Sequence, residues 1–584
     1  MSWMRLIGNV VVSVLVVFAF GVLAPPSHAQ HEGHNMPAPA KPPRKPVRRT
    51  APKKKTVAVQ RRDQNVNEPG PVTAPETFSL PANVDTTTPE SPLPTVPNNT
   101  PQVTDTLPKP APAAEPTKPE PAPPMDHSQM GNMDGNGSAG KSTSTGAGDS
   151  DSGMTVMEHD SGTASENSLM VMSGEEMDIR VGASKRNSIA MGQMGSGTSW
   201  QPATTPMFMW YKSVGEWLVF LHGDMKLGVN HQGGPRGITK FESQNWIMPM
   251  AFRRLGRGTL QLRGMFSLEP FSFPRGGSPL LFQTGETYQN RPLVDAQHPH
   301  DLFMELSASY TLPLGERSTW FTYVGFPGEP ALGPTAFMHR MSASENPSAP
   351  LSHHLQDSTH ISFGVLTSGF TYRWIKVEGS LFNGREPDEN RYDFEFNPWN
   401  SRSVRISVAP NENWSAQWSY GLLKTPEALE PGDVRRMTAS IGYNRRFKRG
   451  NWATSLIWGR NVESHDERTT LNGYTAESTL NFFDKNYVYT RLELVDKNNL
   501  LSNDEAQSLG FATEHPSFRI GAYTFGYVRD VWNTSRFSIG LGSDFTVYSK
   551  PALLDSLYGD NPTSNRFFVR VRPSRMSRSS GHGH

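Results

Sequence analysis

The sequence predicts an all-β protein, a transmembrane antiparallel β-barrel of about 16 strands (range roughly 14 to 18) preceded by a long disordered N-terminal region. Three observations carry this prediction. From about Trp217 to Arg572, segments of roughly ten residues alternate apolar with polar side chains, the mark of strands with two unlike faces. The gaps between these segments alternate long and short, as they do where tight turns face the periplasm and longer loops face outward. The N-terminus has the anatomy of a secretory leader, and no other stretch of about 18 apolar residues occurs, so any further membrane insertion has to be as strands.

Composition sets the outer bounds. Of the 584 residues 35% are hydrophobic, and the net charge is +1. Every second strand residue of a barrel faces lumen or water, so modest hydrophobicity is expected, and near-neutral charge argues against nucleic acid as a partner. Cysteine is absent, which excludes disulfides, thiolate metal sites and a cysteine nucleophile.

Residues 1–29 read as a signal peptide: Arg5 supplies the positive start, residues 6–23 the apolar core, and Ser27-His28-Ala29 the small residues of a cleavage site. Residues 30–124 form a proline-rich, basic spacer, with ten Lys or Arg between Lys41 and Arg62. Its apolar surface is too small to offset backbone ordering, so an extended disordered chain is expected. It serves as a solvated spacer or touches peptidoglycan-associated polyanions or anionic lipid. Residues 125–200, rich in Gly, Ser, Asp and Met, are expected to be disordered for the same reason.

This second segment carries candidate chemistry. The run from Met125 through His127, Met130 and Met133 to Gly135 puts thioethers, an imidazole and carboxylates close together on one flexible backbone. Thioethers suit Cu(I), while imidazole and carboxylate extend the ligand set toward Cu(II). The run resembles the Met/His/Asp-rich repeats of the copper-resistance protein B family, outer-membrane proteins of periplasmic copper-resistance systems. Weaker echoes occur at residues 31–36 and around Met154, Met157 and His159. The resemblance implies copper as the bound metal and periplasmic copper proteins as partners. The same composition also fits a low-complexity tether whose methionines do no chemistry.

The barrel, residues 201–573, divides into segments near 217–231, 240–251, 258–268, 301–312, 318–326, 358–367, 370–382 and 402–409. The set continues with 413–423, 434–447, 451–460, 472–483, 486–496, 518–529, 535–548 and 565–572. In the first, Trp217, Val219, Leu221, Met225, Leu227 and Val229 point to lipid, leaving His222, Asp224, Lys226 and Asn230 in the lumen. The opposite phase would set a lysine against lipid, at a cost of about 2–4 kcal/mol at mid-bilayer. Trp217, Trp246, Trp320, Trp374, Trp452 and Tyr548 stand near strand ends, where interfacial girdles are expected. Residues 574–584 are a polar tail ending in two histidines.

Two long outer loops gather most of the histidines. One presents His298 and His300 beside Asp295 and Asp301; the next holds His339, Met341, His353 and His354, with His360 just inside the following strand. Strand phase places His360 and Glu305 on the lumen side near the same mouth. Imidazole with carboxylate is a generic Cu, Zn or Ni ligand set, and it is equally a set of polar loop residues bonded to backbone. The leading expectation is a non-enzymatic outer-membrane protein that binds copper and confers metal tolerance through a periplasmic Met/His-rich arm, with membrane lipid and metal ions as partners. The second is a porin-like channel for small polar solutes. Catalysis ranks last: no G-x-S-x-G elbow, phosphate-binding glycine loop or H-E-x-x-H site is present.

Overall fold

The computed structural model describes residues 169–576, apart from 174–175, 183–186, 431, 465–468 and 513–514. The expected signal peptide and spacer, residues 125–168 and most of the tail lie outside the described residues. The described residues open with β1 (Met170–Ser173), β2 (Glu176–Arg180) and β3 (Ser188–Ala190), a small antiparallel sheet within the stretch expected to be disordered. The expectation of disorder is therefore corrected for the described part of residues 169–200. Ile179 and Met191 bury their side chains against barrel residues, which supplies the apolar contact that composition alone did not promise.

After β4 (Met209–Val214) come β5 (Trp217–Gln232), β6 (Thr239–Leu255) and β7 (Gly258–Phe266). A hairpin, β8 (Ser278–Tyr288) and β9 (Arg291–Gln297), interrupts them. The barrel resumes with β10 (Phe303–Gly315), β11 (Ser318–Gly325), β12 (Val365–Tyr372), β13 (Ile375–Phe382) and β14 (Ser401–Asn411). Next are β15 (Trp414–Leu423), β16 (Val434–Phe447), β17 (Gly450–Glu463), β18 (Thr470–Phe482) and β19 (Asn486–Lys497). The last three are β20 (Phe518–Asn533), β21 (Phe537–Ser549) and β22 (Thr563–Pro573).

Each strand pairs antiparallel with its neighbour, and sixteen long strands close when β22 meets the outer half of β5, Val571 opposite Met225 and Ser564 opposite Gln232. The short β4 fills the remaining half of that seam, pairing Met209 to Val214 with His222 to Trp217. Between consecutive barrel strands, all turns of two or three residues fall at one end and all longer loops at the other, so the short-turn end is periplasmic. Met225, Leu227 and Val229 are exposed on the outer face of β5, whereas Lys226, Asn230 and Gln232 are buried inside. An apolar exterior on a closed barrel with a polar interior is stable only in a bilayer, and the chain is an outer-membrane β-barrel.

Two local expectations are corrected. The segment 358–364 alternates like a strand, but it is a 3-10 turn (Ser358–His360) followed by a loop in which Ile361 and Phe363 are buried. The strand begins at Val365, and its hairpin turns at residues 373–374, with Arg373 at φ 53°, not at Ser368-Gly369. Trp246 and Tyr548 do not join the girdle. Trp246 shares its strand face with buried Met248 and Met250, and Tyr548 packs its ring 5.3 Å from that of Phe282.

Two inserts fill the lumen. From the periplasmic end, the chain before β4 runs inside the barrel: Thr198 Oγ1 donates to Glu378 (2.6 Å) and Thr204 Oγ1 to Asn444 O (2.8 Å). From the outer end the loop 326–364 folds inward, where Arg405 donates to Gly333 O (3.0 Å) and Arg491 to Ser348 O (2.7 Å). The inserts meet at mid-barrel, Ala336 N donating to Ser196 Oγ at 2.8 Å.

Candidate metal centre in the lumen

Three outer connections converge on the histidines. The β8–β9 hairpin brings Glu286 and, just after it, His298 and His300; the inward loop brings His339, His353, His354 and His360; the loop 383–400 adds Glu386 and Arg391. Glu286, His298 and His354 each place one ligand-capable atom within 4.8 Å of the others. His298 Nε2 pairs directly with Glu286 Oε1, and His354 Nδ1 lies 3.4 Å from Glu386 Oε1. Gly285 makes the approach possible: at φ 129° it has no side chain, and a Cβ there would meet the His354 ring at 2.5 Å.

A second group of rings adjoins this one. His300 and His360 stand 5.3 Å apart, His353 and His360 5.2 Å, and His298 and His354 6.2 Å between ring centroids. Each of four imidazoles is oriented through Nδ1: His298 on Pro299 O (3.0 Å), His300 on Glu269 (2.7 Å), His353 on Asp357 (2.7 Å) and His360 on Asp357 O (2.8 Å). Anchoring one ring nitrogen on a carboxylate or carbonyl fixes the tautomer and leaves the other nitrogen as a lone-pair donor. In His360 that Nε2 is buried with no hydrogen-bond partner; the His300 Nε2 is also buried and unpartnered, but there Glu269 favours the protonated ring.

Protonation follows burial. Desolvation holds His298, His353 and His360 below the ordinary imidazole range, which favours their neutral form. Burial pushes Glu286 up to about 7 and Asp301 to about 6, with the Arg391 charge opposing both. For His300, burial is more than offset by Glu269, and its proton is held more firmly than usual.

The sequence placed His298, His300, His353, His354 and His360 near one mouth, and the structure brings them together. His360 sits in the loop insert rather than in a strand. Glu305 faces the lumen but is taken up by Tyr323 (2.8 Å) and Ser307 (2.7 Å), with Arg263 at 3.5 Å. His222 and Asp224 face the lumen deeper in the barrel; Asp224 pairs with Lys226. Met125, His127, Met130, Met133, Met154, Met157 and His159 lie outside the described residues. Glu286 and Glu386 were not anticipated: Glu286 lies in the hairpin strand β8, in a stretch read as loop, and Glu386 is one of several acids in the loop 383–400.

No family model matches the sequence, and no curated protein matches it. Among solved structures, the chain is similar to an anion-selective porin from Comamonas acidovorans, with 12% identity, a TM-score of 0.39, and coverage of 61% of this chain and 100% of that one. It is also similar to the outer membrane channel DcaP of Acinetobacter baumannii, with 9% identity, a TM-score of 0.36, and coverage of 62% and 98%. A third similarity is to an outer membrane protein of Vibrio cholerae, OmpT lacking loop L8, with 9% identity, a TM-score of 0.35, and coverage of 61% and 99%.

Proposed function

We propose that this outer-membrane barrel binds a transition-metal ion, copper by its ligand chemistry, between Glu286, His298 and His354, and that the Met/His-rich arm supplies or receives the ion on the periplasmic side. The observation that supports it most directly is the arrangement of those three side chains, with ligand atoms within 4.8 Å of one another and neutral His298 oriented by Pro299 O. Two imidazoles and a carboxylate form a borderline set that accepts Cu(II) and also Zn(II). The arm, with Met125, His127, Met130 and Met133, would exchange ions among weak overlapping sites, each raising the local ligand concentration for the next.

Elemental analysis after equilibration with Cu(II) and removal of free ion tests this reading. Three full-length proteins are needed: the unaltered chain, a Glu286→Gln/His298→Ala/His354→Ala variant, and one with Met125, His127, Met130 and Met133 made polar. The lumen variant should lose one equivalent and the arm variant a different, additional amount. Equal copper on all three would refute the reading.

A porin-like channel is the second reading, favoured by sixteen strands around a polar lumen. The two inserts argue for low conductance, and planar-bilayer recording separates the readings.

A further inference from the structure

Deeper in the barrel, toward the periplasmic end, lies a second cavity of different chemistry. Its walls carry seven methionines: Met248 and Met250 from β6, Met338 and Met341 from the outer insert, and Met191, Met194 and Met207 from the segment before β4. Two imidazoles join them, His222 from β5 and His339 from the outer insert. Their rings are 6.0 Å apart, and both pack on Trp246, at 4.7 and 4.6 Å. His222 Nδ1 and His339 Nε2 are buried without a hydrogen-bond partner.

Methionine is commonly a flexible filler of apolar cores. Two features set this cavity apart from a filled core. It is a void beside Asp224, Arg263 and Arg572, in a lumen otherwise built from ion pairs. It also contains two orphaned imidazole nitrogens, which an apolar core would leave permanently unsatisfied. Both are resolved by one kind of occupant, a cation that prefers thioether sulfur and accepts imidazole.

We propose that this cavity is a separate binding site for a soft monovalent metal cation, Cu(I) or Ag(I), held by methionine sulfur together with His222 or His339. Soft thioether ligands select such ions. The site differs in ligand class and depth from the Glu286–His298–His354 cluster and does not depend on it. The sulfur comes from β6 and from both inserts, so the full set of sulfur ligands is assembled only when both inserts are seated in the barrel.

The test is Ag(I) binding to the full-length protein in detergent, with a competing chelator that leaves only the tightest sites filled, alongside X-ray absorption at the silver edge. Leucine keeps the volume of methionine, so Met250→Leu/Met341→Leu should fold, as checked by heat-modified gel mobility. The expected result is at least a tenfold loss of Ag(I) affinity at one site in that variant, a similar loss in His339→Phe, and sulfur with nitrogen in the silver shell of the unaltered protein. The Glu286→Gln/His298→Ala/His354→Ala variant should keep this Ag(I) site while losing Cu(II). Ag(I) binding unchanged in both cavity variants, or lost only with the Glu286 cluster, overturns the inference; in the second case the function proposed above still stands. A silver shell without sulfur in the unaltered protein overturns it without recourse to any variant.

Discussion

Ser199 Oγ donates to Thr335 Oγ1 across 3.0 Å, joining the segment that enters the barrel from the periplasmic end to the loop that enters from outside. Both hydroxyls are buried, and Ser199 Oγ also lies 2.7 Å from Ser196 O, so its one proton is shared between the two acceptors. The lumen is thus a two-piece core rather than an open pore among the described residues. Because the chain has no cysteine, the contact can be probed cleanly. Ser199→Cys/Thr335→Cys should oxidise to a disulfide during passage through the periplasm, leaving fewer than one free thiol per chain by alkylation and mass measurement. Two persistent free thiols would show that the inserts do not meet there.

The outer insert is fastened by charge. Arg340 is buried, with Nη1 2.5 Å from Asp357 and Nε 3.0 Å from Glu477 on β18. Removing one partner of a buried pair leaves the other charge uncompensated, at a cost of about 3–5 kcal/mol. Arg340→Met should loosen the insert, and with it Asp357, which orients His353 and His360. The expected readout is faster proteolysis within 326–364 and weaker Cu(II) binding, while the barrel keeps its heat-modified mobility. Unaltered proteolysis would mean that the insert is held chiefly by its other contacts.

Gly285 gives a sharper test of the metal cluster. A methyl group at this position meets the His354 ring at 2.5 Å, and φ 129° disfavours any side chain. Gly285→Ala should displace His354 from Glu286 and His298 and weaken Cu(II) or Zn(II) binding by roughly 10- to 100-fold, the range seen when a ligand loses its support. Calorimetric titration measures it. Full affinity in this variant would exclude His354 as a ligand.

The expected pH dependence can be signed at Glu329, on the outer insert. Burial pushes its carboxyl from 4.5 up to about 8, opposed by Arg405 at 3.8 Å. The folded state therefore holds this proton more tightly than the unfolded state, and the contribution to stability falls as pH rises between those two values. The urea midpoint should drop from pH 5 to pH 9, and Glu329→Gln should flatten part of that slope. An identical slope in the variant would exclude Glu329 as its source.

How far the sequence reveals this molecule depends on which contacts are local. Strand phase is local: Trp414 and Trp418 face out because Ser415 and Ser419 face in, and a lipid exterior enforces that parity over the whole strand. The same signal misleads at 358–364, where Ile361 and Phe363 alternate with polar residues but bury themselves in the lumen rather than in lipid. It misleads at Trp246 as well, since an aromatic near a strand end belongs to the girdle only if its parity is outward. The histidine pairs 298/300 and 353/354 are visible in the sequence. Their meeting with Glu286 and Glu386 is set by how three loops fold against one another, and no spacing encodes that. The methionine cavity is hidden for the same reason, its sulfurs being drawn from residues 191 to 341 by two inserts and a strand.

The most direct test of the central claim, a metal centre built by the loops inside the barrel, is anomalous diffraction at the copper edge from crystals of the full-length protein equilibrated with Cu(II). The account predicts a peak about 2.0–2.2 Å from an imidazole nitrogen of His298 and of His354 and from a carboxylate oxygen of Glu286, distances usual for such ligands. A fully occupied copper peak elsewhere, with none at this cluster, would contradict it.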